Sequence, residues 1–235
     1  MIVFLKNLVN RISINNSIVN INDRNIKIAV NYWMQNTEKA EAKYGHISNW
    51  NTSKVTTMKK LFFKVPLFNE PIGDWDVSNV TDMSYMFRND GMDIGSTFNQ
   101  SIDNWDVSKV TTMEEMFCSA TSFNQDISTW NMRSVTSMKA MFYGATSFNQ
   151  NIGNWDLRNV TSMKAMLYGA KSFNQNIDNW NLSNVADMSG MFNSATAFNQ
   201  DIRDWVVSNV TDCEGFSANA PLTEANTPNF TNCSP

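Results

Sequence analysis

Residues 130–154 read WNMRSVTSMKAMFYGATSFNQNIGN, one copy of a 25-residue phrase, W-D-V-S-N-V-T-x-M-x-x-M-F-x-x-A-x-x-F-N-Q-x-I-x-x. Near-copies open at Trp50, Trp75, Trp105, Trp130, Trp155 and Trp180, and a degraded copy opens at Trp205. The spacing is 25 residues except between Trp75 and Trp105, where five more are inserted within residues 88–97. That insertion carries Gly91 and Gly95 and keeps the frame on both sides, as a surface loop does. A fixed period of this size marks an architecture in which one small unit is laid on the next.

Within the frame, side chains fall into columns. Phe68, Phe98, Phe123, Phe148, Phe173 and Phe198 form one, and Ile72, Ile102, Ile127, Ile152, Ile177 and Ile202 another. Met58, Met83, Met113, Met138, Met163 and Met188 form a third, broken by Cys213. Two hydrophobic periods coexist in each unit. Val80, Met83, Met86 and Phe87 lie on one face of a short helix, with Ser78 or Thr81 placed to cap it. Trp130 and Met132 alternate with polar Asn131, as in a short strand with one buried face. Such short elements are marginal alone, so stacking against equivalent elements is the expected solution. Ala120, Ala145, Ala170 and Ala195 mark a tight turn. Asn99, Asn124, Asn149, Asn174 and Asn199 are expected to form a ladder of side chains from unit to unit.

The flanks differ in kind. Residues 1–22 form an N-terminal segment, helical or poorly ordered, in which Ile2, Leu5, Leu8, Val9 and Ile12 share one helical face. That face suits packing on the body, a membrane surface, or the remnant of a signal. Residues 23–49 read as a helical cap: Asp23 or Asn25 starts it, Ile26, Ala29, Val30 and Trp33 give its apolar face, and Gly45 ends it. A cap is needed because terminal units cannot leave Trp and Phe exposed. The repeat body runs over 50–220, and 221–235 is a polar, proline-containing tail folding over the last unit.

Composition excludes several classes. With 42% apolar residues, including 15 Met, 15 Phe and 8 Trp, the chain can bury a core. A net charge of −4 and no basic stripe argue against a nucleic-acid partner. The apolar run at residues 1–5 is cut off by Lys6, too short for a membrane span or the core of a secretory signal. No metal or cofactor site is expected, because the methionines fall one per unit at core spacing rather than converging. His46 is the single histidine and reads as structural, so no enzyme is expected. Cys118 reads as a surface thiol. Cys213 reads either as a small buried apolar residue or as the partner of Cys233 in a bridge that pins the tail. Sequons such as Asn79-Val-Thr and Asn159-Val-Thr follow from the repeat's own turn and helix cap.

The segment FNQDISTWNMRSVTSMKAMF at 123–142 resembles the BspA-like leucine-rich-repeat surface proteins, whose module of similar length has no assigned function. The likeness covers residue 50 to about 216, and residues 25–50 resemble the lead-in of such proteins. It implies a leucine-rich-repeat-like fold, a surface or secreted setting, and a part in adhesion or protein interaction. It carries over no catalytic residue.

The expected fold is therefore an α/β, right-handed, leucine-rich-repeat-like solenoid of about seven coils with an N-terminal helical cap. The expected function is a non-catalytic binding or adhesion scaffold, engaging a protein through its strand face; the alternative is a carbohydrate-binding adhesin. The partner is thus an unidentified protein or glycan. The candidate binding face is Asp76, Asp106, Asn131, Arg133, Asp156, Arg158 and Asn181, outward polar positions at repeat spacing. Arg133 and Arg158 interrupt a serine column on adjacent units and are expected to place two guanidinium groups together.

Overall fold

In the computed structural model, residues 20–90 and 95–235 are described; the amphipathic segment read at residues 2–12 and most of the insertion's glycine-rich centre lie outside them. Among the described residues helix is confined to α1 at Ile26–Gln35, α2 at Thr37–Tyr44, and a 3-10 turn at Ile47–Asn49. The Asn22 carbonyl accepts the N–H groups of Asn25 and Ile26 where α1 begins. Ile26, Ala29, Val30 and Trp33, the residues a 3.6-residue period puts on one face, are its buried side chains. Asn36 separates the helices, its Oδ1 accepting the Lys39 N–H at 3.0 Å as an N-cap. Gly45, at φ 77, ends α2. Trp33 then meets Trp50 edge-on at 6.2 Å, so the helical pair covers the first tryptophan of the repeats.

The expected α/β solenoid does not form. Among the described residues the repeats contain no α-helix and no sheet, so the leucine-rich-repeat-like, strand-built description is corrected. Units are joined instead by isolated parallel bridges one residue wide, Thr57 to Asp82, Asp82 to Thr112, and on through Ser137, Ser162 and Asp187 to Asp212. These bridges lie after the valine of each unit, not beside the tryptophan where a strand was expected.

The reason is visible in the backbone. N–H groups of Met58, Lys60, Phe62 and Lys64 donate to the carbonyls of Asp82, Ser84, Met86 and Arg88 in the next unit, at 2.9–3.0 Å. Leu61, Phe63 and Val65, each one residue after a member of that series, donate three residues back, at 3.1–3.4 Å. The chain thus runs as consecutive β-turns, with every second N–H spent on a neighbour. A helix needs every residue at negative φ; here Lys60 and Lys64 sit at 58° and 60°, and Ala140 and Gly144 at 51° and 65°. The M-x-x-M-F spacing buries the same side chains either way, which is why periodicity alone misread it.

The columns themselves face inward. Trp130 is 3% exposed, and Met138, Phe148 and Ile152 are fully buried. The phenylalanines of successive units stack at 5.8–6.1 Å from Phe68 through to Phe198. From Trp75 onward each repeat indole N–H donates to the carbonyl of the isoleucine three residues before the preceding tryptophan: Trp130 to Ile102 at 3.2 Å, Trp155 to Ile127 at 3.1 Å, Trp180 to Ile152 at 2.9 Å. Tryptophan therefore fills the core and gives a buried carbonyl a second hydrogen bond beside its backbone one, which leucine or phenylalanine cannot do. An asparagine ladder is present with a changed bond. Asn99 Oδ1 accepts the backbone N–H of Asn124 at 2.9 Å, and the pattern continues to Asn199, so side chain meets main chain rather than side chain.

At the far end the tail extends these ladders. Asn226 gives its carbonyl to the Ile202 N–H and its Nδ2 to Asn199 Oδ1, at 3.0 and 3.1 Å. Phe230 meets Phe216 edge-on at 5.0 Å, and Cys213 and Cys233 form a disulfide. Cys213 is thus a bridged residue, not merely a small apolar one. Ser96 and Thr97, at the end of the insertion, already belong to the stack: Thr97 donates to the Pro66 carbonyl, and Ser96 accepts from Ser122.

Candidate functional site

The residues proposed as a binding face share one local geometry. Asp76 Oδ1 accepts the Ser78 N–H at 3.0 Å and the Ser78 hydroxyl at 2.7 Å. Asp106 repeats the bond to the Ser108 N–H at 3.0 Å, Asn131 to Arg133 at 3.2 Å, and Asn181 to Ser183 at 3.2 Å. These are Asx turns, in which a short polar side chain holds the backbone two residues on. Asp or Asn serves equally, since only an oxygen acceptor is needed, and that accounts for their interchange along the row. The D/N-x-S spacing was the sequence signal for these turns, and periodicity reasoning passed over it.

Serine hydrogen bonds hold the Asp76 and Asp106 carboxyls below the ordinary carboxylate range, partly opposed by burial. The Asp106 charge also acts on Asp76, so these two acids are electrostatic neighbours on adjacent units. Asp156 is lowered first by its bond to Arg158, whose Nε lies 2.7 Å from Oδ1, and more weakly by the charge of Arg133. Arg133 and Arg158 thus both bear on one carboxylate, and the ion pair belongs to Arg158. An exposed pair of this kind is worth under about 1 kcal/mol. The row ends at Val206, 62% exposed where earlier units carry Asp or Asn.

Neighbouring polar residues are committed to the stack. Nδ2 of Asn79, Asn159 and Asn209 donates to the carbonyls of Ser53, Arg133 and Ser183 in the preceding unit, at 2.6–3.0 Å. The sequon threonines cap no helix: Thr81 and Thr161 donate their hydroxyls to the carbonyls of Thr56 and Thr136, the preceding threonines of the same column, and Thr211 donates to that of Ala186. His46 Nδ1 lies 2.8 Å from Ser48 Oγ and accepts the Ser48 N–H, which starts the 3-10 turn. Cys118, read as a surface thiol, is instead buried at 7% exposure, and burial pushes its thiol up. Among the described residues no group of three or more His, Cys, Asp or Glu is placed to hold a metal ion, and no helix is long and apolar enough to cross a membrane.

No curated protein and no solved structure matches the chain. Residues 28–150 and 126–230 each match a family profile, so the likeness begins inside α1 and runs through the repeats into the tail. That match does not extend to a leucine-rich-repeat identity. By that coverage the chain belongs to the family described as Mycoplasma protein of unknown function, DUF285.

Proposed function

We propose that this protein is a non-catalytic binding scaffold that presents the row Asp76, Asp106, Asn131, Asp156 and Asn181 to a protein partner. The observation that carries this reading is the division of labour within each side chain. Oδ1 of Asp76 and Asp106 is spent on the turn, and among the described residues no hydrogen bond engages Oδ2 of Asp76. Each turn fixes its side chain in advance, so a partner would meet ordered acceptors and lose less conformational entropy on binding. The row is a line of Asx turns, not a strand face. Its acidic end suits Lys or Arg of a partner, and Arg133 and Arg158 suit a carboxylate. The resemblance of the repeat phrase to BspA-like surface proteins supports an adhesive setting for such a scaffold.

A photo-crosslinking residue placed in the full chain at position 106 or 158, with position 171 as an exposed control, tests this against cell-surface proteins. Discrete adducts from the row and none from position 171 are expected. Adducts from position 171 alone, or none at all, would remove the row from consideration.

A further inference from the structure

The consecutive-turn side of the repeats, not used in the reading above, holds a cavity of about 380 Å³ lined by Arg88, Glu115, Cys118, Lys139, Tyr143 and Lys164, and by two alanines. It exists because the repeat varies there. The column that holds Lys60, Tyr85 and Glu115 continues as Ala140 and Ala165, and the column Arg88, Cys118, Tyr143 is narrowest at Cys118. The core does not require those choices, since Lys60 and Tyr85 occupy the first position with the same positive φ as the alanines.

Charge is unbalanced in this hollow. Glu115 is neutralised by its ion pair with Arg88, which also pairs with Asp90. The Lys139 and Lys164 ammonium groups have no ion-pair or hydrogen-bond partner among the described residues. They stand on adjacent units, where the Ala140 N–H donates to the Lys164 carbonyl at 2.8 Å. Two like charges on one hollow are an arrangement that an anion would complete. Tyr143 adds an aromatic wall: it is 37% exposed and stacked on Tyr168 at 4.6 Å, with planes 9° apart. A ring held in this way offers apolar area at little entropic cost.

The geometry points to a site for an acidic monosaccharide unit, a uronic or sialic type of sugar. Its carboxylate lies between Lys139 and Lys164, its apolar ring face rests on Tyr143, and the Glu115 carboxylate accepts from a hydroxyl. The volume falls at the small end of ligand cavities, which fits one sugar ring rather than a peptide. The inference is independent of the Asx row.

Calorimetric titration of the full chain with glucuronate and N-acetylneuraminate, beside glucose and inorganic phosphate, tests it. Saturable millimolar binding of the two acids is expected, weakened by added salt, with glucose failing to bind. Lys139→Gln with Lys164→Gln should weaken it at least tenfold while melting stays unchanged, and Tyr143→Ala should weaken the sugars only. Glucose binding as tightly as glucuronate would overturn the proposal, as would phosphate competing equally well, which marks a simple anion site. Absence of saturable binding, or unchanged affinity in the double lysine variant, would do the same.

Discussion

The helical start and the repeats solve the same problem in opposite ways. In α1 and α2 the backbone satisfies its own N–H groups, since among the described residues no equivalent segment lies alongside to accept them, and ten and eight residues form helix. In the repeats a neighbour is always present, and alternate N–H groups go to it instead. The same kind of apolar spacing, Ile26, Ala29, Val30 and Trp33 in one region and Val80, Met83, Met86 and Phe87 in the other, therefore yields a helix in the first and a run of turns in the second. Spacing fixes which side chains are buried. The hydrogen-bond partner available to the main chain fixes the conformation that buries them.

The largest test of that contrast is in the core. Trp130→Ala removes a buried ring and one of the two hydrogen bonds to the Ile102 carbonyl, which keeps the Trp105 N–H, so unfolding in denaturant should show a loss of about 3–5 kcal/mol. Trp130→Phe keeps most of the volume and loses the bond while the Ile102 carbonyl keeps its other donor, for about 0.5–1.5 kcal/mol. Should the two variants lose the same amount, the indole bond would contribute nothing between units.

Opening the 20-residue loop closed by the disulfide, with Cys213→Ser and Cys233→Ser together, should cost about 3 kcal/mol on the chain-entropy account. Proteolysis should then cut first in the tail. An intact tail at unchanged melting temperature would show that the Asn226 and Phe230 contacts suffice to hold it.

A smaller effect changes sign between the regions. Ala42→Gly, exposed in α2, should destabilise by about 1 kcal/mol, as glycine does in a helix. Ala165→Gly, at φ 51, should stabilise by up to about 1 kcal/mol, because relief of left-handed strain exceeds the entropy glycine adds to the unfolded chain. Gly144→Ala, at φ 65, should move the other way. If Ala165→Gly destabilised as Ala42→Gly does, the run of turns would be misdescribed.

The smallest effect is electrostatic. Asp76 and Asp106 have carboxyl pKa values below the unfolded ones, so the unfolded chain binds protons first as pH falls. Their contribution is fully present above the ordinary carboxylate range, near pH 4, and is lost as pH drops through the folded values. Asp76→Asn with Asp106→Asn keeps the turn acceptors, as Asn131 and Asn181 do, and should leave melting at pH 7 nearly unchanged. The drop in melting temperature between pH 7 and pH 3 should be smaller than in the parent. An identical drop would place the acid sensitivity elsewhere.

The repeat frame, the buried columns, the apolar face of α1 and the role of Gly45 were legible in the sequence, because burial and helix ends depend on side-chain pattern and local chemistry. The candidate row was legible as exposed polar positions, but not as Asx turns, because Asp106 and Ser108 two residues apart were read only for their outward direction. Tertiary structure alone decided three matters. It turned the expected helices into consecutive turns, since the N–H acceptors lie in the next unit, about 25 residues away in sequence. It chose the disulfide over a simple buried Cys213, since the tail's path brings Cys233 within a Cα distance of 5.8 Å. And it buried Cys118 on the wall of a cavity beside two lysines without an ion-pair partner among the described residues, because that wall is built from four successive units and its shape is set by what each places there.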